Sequence, residues 1–187
     1  ANMISWLNPQ PGETLIDVAG GTGDVARAFL KRAREVGKRR NSVAKTIAIV
    51  SDINEAMLIA GIKPTDEDMP RVACDAAALP FPDRCADALT ISFGIRNVVE
   101  IDKALREFRR VLKPGGDLIV YGPFRFDGRY TSASNADFDA YLRRRDPASG
   151  IRDFEAVDAL AAEAGLRFVA NHAMPANNQL LVWQKSY

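Results

Sequence analysis

The chain has 187 residues, 47% of them hydrophobic, and its 25 basic and 24 acidic side chains leave a formal net charge of +1. This length predicts one soluble domain over residues 1–187. The near-neutral charge excludes a strong overall attraction to nucleic acid, so we expect no nucleic-acid partner. No apolar run approaches the roughly 20 residues of a membrane-spanning helix, and we expect no secretory segment.

Residues 2–7 predict a short helix, and the apolar residues 14–18 predict the first buried strand. Residues 17–24 then read DVAGGTGD, a turn with almost no side chains. Apolar residues recur at helical spacing after it, at Val25, Phe29, Ala33 and Val36. A strand, a glycine turn and a helix form half of a Rossmann-type unit, so the turn is a candidate nucleotide site.

The glycine turn fits two ligand classes. Residues 21–26 match the dinucleotide pattern G-x-G-x-x-G/A, which favours a nicotinamide dinucleotide and an oxidoreductase. Asp17 and Asp24 bracket the turn, however, and carboxylates repel the pyrophosphate that a helix N-terminus would bind. S-adenosylmethionine carries an ammonium and a sulfonium and no phosphate. The charges therefore favour S-adenosylmethionine, with the dinucleotide as the alternative.

Strands and helices alternate through the next part of the chain. Strands are predicted at residues 46–51, 71–74, 88–92 and 117–121, and Asn54 is a predicted N-cap. Residues 122–134 are polar and irregular, and helices follow at residues 138–145 and 153–164, the second capped by Asp153. Residues 167–170 and 179–183 predict a closing pair of strands. The expected fold is α/β, with a mostly parallel seven-stranded sheet, a C-terminal antiparallel hairpin and helices on both faces.

Polar residues follow the strands, at the carboxyl ends where ligands bind in such folds. Asp52 can accept both hydroxyls of a ribose. Asp75 and the backbone N–H of Ala76 suit an adenine edge, although Asp75 fits an ordinary turn equally well. Arg96 and Asn97 follow the fourth strand, where a methyl acceptor would lie, and Arg96 would stabilise negative charge on a phenolate or enolate.

Other chemistry has little support. His172 is the only histidine, and a loop between two strands favours a structural role for it over a general base. Cys74 and Cys85 lack metal-ligand spacing, so we expect no metal and a reducing, cytoplasmic compartment. The basic stretch of residues 27–45 fits a solvated helix face better than a phosphate or anionic membrane site.

From Trp6 to about Val120 the chain resembles the ubiquinone/menaquinone biosynthesis C-methyltransferases, class I enzymes that use S-adenosylmethionine. The resemblance rests on residues 17–24 (DVAGGTGD), 52–58 (DINEAML), 78–83 (ALPFPD), 91–98 (ISFGIRNV) and 110–116 (RVLKPGG). It implies a methyl donor site and a prenylated quinol acceptor, with peripheral membrane contact. The donor residues expected from the motifs and the resemblance together are Asp17, Ala19, Gly20, Gly21, Thr22, Gly23, Asp52, Ile53, Asp75, Ala76 and Ser92. The resemblance places Arg96 and Asn97 against the quinol.

The chain departs from that family in two places. Family members carry an additional N-terminal segment that helps cover the donor, and this chain starts after it. Beyond Val120, residues 121–132 (YGPFRFDGRYTS), 145–147 (RDP) and 174–178 (MPANN) resemble the C-terminal part of another methyltransferase-like family of uncertain function. These departures suggest a chimera joined near residues 118–122. The expected function is S-adenosylmethionine-dependent C-methylation of a quinol, and the alternative is a binding or scaffold domain without a productive acceptor site.

Overall fold

The structure is a computed structural model that describes residues 3–187. Its strands are β1 (Thr14–Val18), β2 (Ile47–Asp52), β3 (Arg71–Ala73), β4 (Ala86–Ser92), β5 (Leu112–Gly122), β6 (Phe124–Phe126), β7 (Arg129–Tyr130), β8 (Arg152–Asp153), β9 (Leu166–Met174) and β10 (Asn178–Lys185). Its α-helices are α1 (Met3–Leu7), α2 (Asp24–Arg40), α3 (Glu55–Ala60), α4 (Ile101–Val111), α5 (Ala133–Arg145) and α6 (Phe154–Ala164). Short 3₁₀ helices cover Ile95–Asn97 and Pro175–Asn177.

Seven strands form the main sheet, in the order β3-β2-β1-β4-β5-β10-β9. The first five in this order are parallel to their neighbours, and β10 is antiparallel to both β5 and β9. The predicted mostly parallel seven-stranded sheet with a C-terminal antiparallel hairpin is confirmed. Because β1 lies between β2 and β4, the chain reverses its direction of winding at β1, and a crevice opens there at the carboxyl ends of the strands.

Helices cover both faces of this sheet, as predicted. Successive side chains of a strand point to opposite faces, so Leu15 packs with α2 and α3 while Ile16 and Val18 pack with α4 and α6. On β10, Trp183 is fully buried and lies edge-on to Phe168 at 5.5 Å between ring centroids. Packing on both faces of the sheet holds the end of each strand in place, and therefore fixes the position of the crevice.

The segment after β5 is more regular than the sequence predicts. Residues 122–134 were expected to be irregular, but β6 and β7 form a small sheet with β8, and α5 begins at Ala133 rather than at residue 138. Ser132 explains the earlier start, because its hydroxyl accepts a hydrogen bond from the backbone N–H of Asn135 at 3.2 Å. A single buried carboxylate, Asp139, fastens this segment by accepting from Tyr130 at 2.6 Å and from the backbone of Ile151 at 2.6 Å.

Of the two predicted N-cap residues, one makes a capping hydrogen bond and the other does not. Asn54 caps α3 as predicted, since its side chain accepts from the backbone N–H of Met57. Asp153 occupies the N-cap position of α6 but makes no capping bond. Its carboxylate instead pairs with Arg125 at 2.5 Å, because β6 and β8 are hydrogen-bonded neighbours.

The predicted N-terminal helix is present as α1, and the Asn2 part of that prediction lies outside the described residues. The indole N–H of Trp6 donates to Nε2 of His172 at 2.7 Å and so ties α1 to β9. No helix within residues 3–187 is both long and apolar enough to cross a bilayer. The junction suggested near residues 118–122 falls inside β5, which pairs with β4 on one side and β10 on the other.

Candidate functional site

A cleft of about 460 Å³ opens at the carboxyl ends of β1 to β4. Nine of the predicted site residues line it, namely Ala19, Gly21, Asp52, Ile53, Asp75, Ala76, Ser92, Arg96 and Asn97. Four others, Asp17, Gly20, Thr22 and Gly23, lie outside its lining. The volume falls in the range of small-molecule and cofactor sites, roughly 300–1,000 Å³.

The glycine turn owes its shape to backbone geometry. Gly21 and Gly23 have φ values of 50° and 88°, in the left-handed region that glycine adopts without strain. Gly20 lies so close to β1 that a Cβ atom there would stand 2.8 Å from the carbonyl oxygen of Asp17. Gly20 and Gly23 therefore shape the turn from beneath, and Gly21 is the glycine that reaches the cleft.

Asp17 lies under the turn and does not reach the cleft. Its side chain is 1% exposed, and Oδ1 accepts a hydrogen bond from Thr90 at 2.7 Å, while Oδ2 is buried without a partner. Burial raises the pKa of this carboxyl to about 7. Asp17 was predicted to contact the donor, but it does not line the cleft and instead supports the turn from beneath, because it lies within β1, level with Val50 of β2, and not beyond the end of the strand.

Asp52 is held in a defined orientation at the end of β2. Its Oδ2 accepts from the backbone N–H of Gly21 at 2.9 Å, and its Oδ1 accepts from that of Asn54 at 2.9 Å. Each carboxylate oxygen can accept a second hydrogen bond, and the side chain lines the cleft. This carboxylate joins the second strand to the glycine turn and still offers acceptors to a ligand.

Asp75 and Ala76 lie in the loop after β3, the strand beside β2, on which Ala73 pairs with Asp52. Oδ1 of Asp75 accepts from the backbone N–H of Ala77 at 2.9 Å, which closes a tight turn and fixes the side chain. Ser92 ends β4 on the other side of the cleft. The exposed side chain of Ile53 forms part of the rim.

The charged residues that line the cleft are not Asp17 and Asp24, the two carboxylates on which the sequence argument rested. Asp17 is buried below the turn, and Asp24 is exposed and paired with Arg27 at 2.9 Å, so neither carboxylate of the turn faces a ligand. The charged groups that do line the cleft are Asp52, Asp75, Glu100 and Arg96, and Glu100 pairs with Lys103 at 2.5 Å. Asp52 and Asp75 make no ion pair within residues 3–187, and these two acids against one base make the site more suited to a cation than to a pyrophosphate.

Arg96 is the basic group of the cleft, and it has no acidic partner within residues 3–187. Its guanidinium carbon lies 5.7 Å from the ring centroid of Phe93 and 5.0 Å from that of Phe138. Burial lowers the pKa of Arg96, and its Nε is buried without a hydrogen bond. A half-buried guanidinium between two aromatic rings is ready to pair with a negative charge on a ligand.

The loop that carries Arg96 and Asn97 is held by residues from the C-terminal third of the chain. The hydroxyl of Ser149 donates to Oδ1 of Asn97 at 2.9 Å, and the backbone N–H of Gly150 donates to the carbonyl of Arg96 at 3.0 Å. Arg152 donates to the carbonyls of Arg96 and Val98 at 3.0 and 2.8 Å. The segment in which the family resemblance changes is therefore the segment that holds the loop of Arg96 and Asn97 in place.

The structure also describes the surroundings of His172, of Cys74 and of the possible metal ligands. His172 lies outside the cleft and accepts from Trp6, in agreement with the structural role favoured for it. Cys74 lines the cleft, and burial raises the pKa of its thiol, which makes it a poor nucleophile. Within residues 3–187 no cluster of histidine, cysteine and carboxylate side chains is arranged to hold a metal ion.

Sequence reasoning missed much of the cleft lining, namely Val18, Met57, Cys74, Ala77, Phe93, Gly94, Val98, Val99 and Glu100. Met57, Phe93 and Val98 lie within the motifs of the family resemblance, so their proximity to the site could have been expected. The sequence around Phe138 does not indicate a role in the site, because only the folding of α5 brings the ring of Phe138 to Arg96.

One sequence family spans almost the whole chain. The family described as "Protein of unknown function (DUF938)" matches residues 5–185, which include both sides of the suggested junction. The two-part origin itself stays a prediction.

Curated relatives named "Ubiquinone/menaquinone biosynthesis C-methyltransferase UbiE" match a shorter region. The relative from Caulobacter vibrioides (strain NA1000 / CB15N) is 51% identical over 136 residues, which are 72% of this chain and 52% of the relative. The relative from Bordetella avium (strain 197N) is 47% identical over 120 residues, 63% of this chain and 43% of the relative. The chain thus spans about half the length of the curated relatives it matches, and the predicted resemblance is confirmed.

Solved structures with the same fold include the YcgJ protein from Bacillus subtilis, with a TM-score of 0.77 at 16% identity over 99% of this chain and 97% of that chain. A S-adenosylmethionine-dependent methyltransferase from Aquifex aeolicus has a TM-score of 0.73 at 17% identity, over 97% and 86% of the two chains. The chain therefore belongs to the DUF938 family and has the Rossmann-like fold of the class I methyltransferases.

Proposed function

We propose that this protein is an S-adenosylmethionine-dependent methyltransferase. The observation that carries the proposal is the acid-lined cleft beside the glycine turn, with Asp52, Asp75 and Glu100 in its wall. A ligand that carries an ammonium and a sulfonium fits these charges, whereas the pyrophosphate of a dinucleotide would face carboxylates. The names of the curated relatives support the same activity.

The donor residues follow from their positions. Asp52 would accept the two ribose hydroxyls with the lone pairs left free by Gly21 and Asn54. Asp75 and the N–H of Ala76 would bind the adenine edge, with Ile53 against the adenine face. Ala19, Gly21 and Ser92 would line the rest of the donor. Asp17, Gly20, Thr22 and Gly23 would act by shaping the turn.

The acceptor side is built around Arg96 and Asn97. When bound, the donor supplies an electrophilic methyl group; a new carbon–carbon bond to the acceptor forms as the carbon–sulfur bond breaks, and the acceptor loses one proton. Arg96, without an acidic partner of its own, would stabilise the negative oxygen of an ionised quinol. Asn97 would hold a second oxygen of the ring. Methyl transfer depends chiefly on alignment, which the contacts from Ser149 and Arg152 to this loop supply.

The rim of the cleft supports a lipid-like acceptor. Val99 is 72% exposed, and Met57 and Phe93 are also exposed at the opening. Exposed apolar side chains at the opening of a cleft suit an apolar substituent of the substrate. We infer C-methylation of a prenylated benzoquinol or naphthoquinol in ubiquinone or menaquinone biosynthesis, at a cytoplasmic site with peripheral membrane contact.

Isothermal titration calorimetry with S-adenosylmethionine, S-adenosylhomocysteine and NAD tests the donor. We expect binding of the first two compounds and none of NAD. A preference for NAD would overturn the proposal and favour an oxidoreductase.

Transfer of a labelled methyl group to a short-chain demethylated quinol tests the acceptor. We expect a labelled quinol and one equivalent of S-adenosylhomocysteine. Donor binding without turnover on benzoquinol and naphthoquinol acceptors would contradict the quinol assignment and favour a methyltransferase-like binding domain.

A further inference from the structure

The outer side of the glycine turn is held by a group of charged side chains that does not line the cleft. The turn leaves the carbonyl groups of Gly21 and Thr22 outside any helix or strand, and α3 ends against it at Gly61. A Cβ atom on Gly61 would stand 2.5 Å from the Cα of Thr22, so these two pieces of backbone lie in close contact. Carbonyl groups in such a place need donors from elsewhere in the chain.

Two guanidinium groups provide those donors. Arg71, on β3, donates to the carbonyls of Thr22 and Gly61 at 3.0 and 2.9 Å and lies 3.4 Å from that of Gly21. Arg27, on α2, donates to the carbonyl of Thr22 at 2.9 Å and also to that of Gly61. The arginine side chains are 10% and 20% exposed, so their charges are largely withdrawn from water.

One carboxylate, Asp66, holds both arginines. Its Oδ1 accepts from Nε of Arg27 at 2.8 Å, and its Oδ2 accepts from Arg27 and Arg71 at 3.0 Å each. The backbone N–H of Lys63 adds a fourth bond at 3.0 Å. The Asp66 side chain is only 6% exposed, and Arg27 holds the pKa of this carboxyl far below its usual range. A largely buried carboxylate with both oxygens engaged fixes the groups that it binds.

On its inner side, which faces the cleft, the same turn is fixed by Asp52. The N–H of Gly21 donates to Asp52, and the carbonyl of Gly21 faces Arg71. Any displacement of the two arginines would therefore move Gly21 and, through it, the carboxylate assigned to the ribose. Asp66 lies in the loop between α3 and β3, outside every motif that identified the site.

We infer that Asp66 is a positioning residue for donor binding: through Arg27 and Arg71 it holds the glycine turn and Asp52 in the geometry that receives the methyl donor. This inference rests on the proposed function. It assigns no contact between Asp66 and the ligand, and it predicts that an uncharged residue at this position weakens donor affinity without touching the cleft.

The chain offers a matched control in the same loop. Asp68 also pairs with two basic side chains, Lys45 at 2.8 Å and Arg34 at 4.0 Å, but these lie on the surface and neither contacts the turn. Asp66→Asn and Asp68→Asn therefore remove the same charge from neighbouring positions. Only the first change leaves Arg27 and Arg71 without their shared carboxylate.

The test measures the affinity for S-adenosylhomocysteine by calorimetry, well below the thermal midpoints of the variants. We expect Asp66→Asn to weaken binding about tenfold or more, and Asp68→Asn to change it by less than about twofold. Hydrogen exchange supplies the second measurement. In Asp66→Asn the amides of residues 20–24 should exchange faster, while those of β5 and β10 keep their wild-type rates, a pattern that a general loss of stability would not give.

The outcomes are distinct. If wild-type protein does not bind S-adenosylhomocysteine, the proposed function fails. If wild-type protein binds and a folded Asp66→Asn variant binds equally well, the positioning role is refuted. Should Asp66→Asn not fold, Arg71→Lys decides by the same limits, because lysine keeps the charge but cannot contact three carbonyls and a carboxylate at once. Folded Arg71→Lys with wild-type affinity would refute the inference as well.

Discussion

Asp17 and Asp52 stand one strand apart at the same edge of the sheet, yet their surroundings separate their roles. Asp17 is enclosed, with one oxygen bound to Thr90 and the other without a partner. Asp52 accepts two backbone N–H groups and lines the cleft. The two side chains point to the same face of the sheet, but Asp17 is level with Val50 inside the sheet, whereas Asp52 is the last residue of β2. A motif that reads both residues as ligand contacts overlooks this difference in position along the strands.

Replacing Asp52 tests its proposed ribose contact. Asp52→Ala should weaken S-adenosylhomocysteine binding by roughly 10- to 100-fold, because hydrogen bonds to a charged acceptor contribute about 1.5–3 kcal/mol. Calorimetry measures the change, and Asp137→Ala, an exposed position on α5, is the control. Unchanged affinity in the Asp52 variant would rule out the ribose assignment.

Asp17 should make the stability of the protein depend on pH. The folded state keeps this carboxyl protonated up to a pKa of about 7, whereas the unfolded chain releases the proton near 3.8, so the folded state binds more protons between these values. The free energy of unfolding therefore falls as pH rises, by about 2 kcal/mol between pH 5 and pH 7 relative to Asp17→Asn. Urea unfolding of both proteins at the two pH values measures the difference. Parallel pH profiles would contradict it.

At the scale of elements, the sequence predicts the positions of the parallel strands along the chain well, because each of these strands contains a short apolar run. The predicted alternation from residue 14 to residue 121 corresponds to β1 to β5. The small sheet of β6, β7 and β8 escaped prediction because its strands have two or three residues each and depend on Asp139 and Arg125 for their stability.

The residues of the candidate site likewise divide into those that the sequence predicts and those that it does not. Residues at or shortly after the end of a strand, such as Asp52 and Asp75, are predictable, since the fold brings all such positions to one edge. Phe138 and Ser149 are not, because they contact Arg96 and Asn97 only through the tertiary packing of α5 and the loop after it. Asp66 is missed for a further reason: it acts on the backbone of the turn from the side opposite the cleft.

The helix α5 should affect the acceptor and not the donor. Phe138→Ala removes one of the two rings beside Arg96, so we expect about a tenfold loss of methyl transfer to the quinol with S-adenosylhomocysteine affinity within about twofold of wild type. Arg144→Ala, an exposed position on the same helix, is the control and should retain both properties. Equal turnover in the Phe138 variant would exclude a role of α5 in acceptor binding.

At the scale of the whole molecule, the two sequence regions on either side of residues 118–122 share one sheet. β5 contains this boundary and is hydrogen-bonded to a strand from each region. The fully buried Trp183 packs from the C-terminal region into the same core as Phe108 and Leu118. The C-terminal region thus packs into hydrophobic clusters that it shares with the N-terminal region.

This shared core predicts a single cooperative unfolding transition for residues 1–187. The calorimetric and van't Hoff enthalpies should agree, and Trp183 fluorescence and circular dichroism should give the same midpoint. Two resolved transitions would contradict a single domain.

The position of β10 also constrains how the chain folds while it is being synthesised. β10 lies between β5 and β9, and β9 has β10 as its only neighbour in the main sheet described for residues 3–187. While the ribosome is still extending the polypeptide beyond Met174, β9 has no strand to join, and β5 exposes an unpaired edge. The nascent chain therefore holds a five-stranded sheet with an open edge until residues 178–185 emerge, and this interval is when it is most exposed to wrong pairing with another chain.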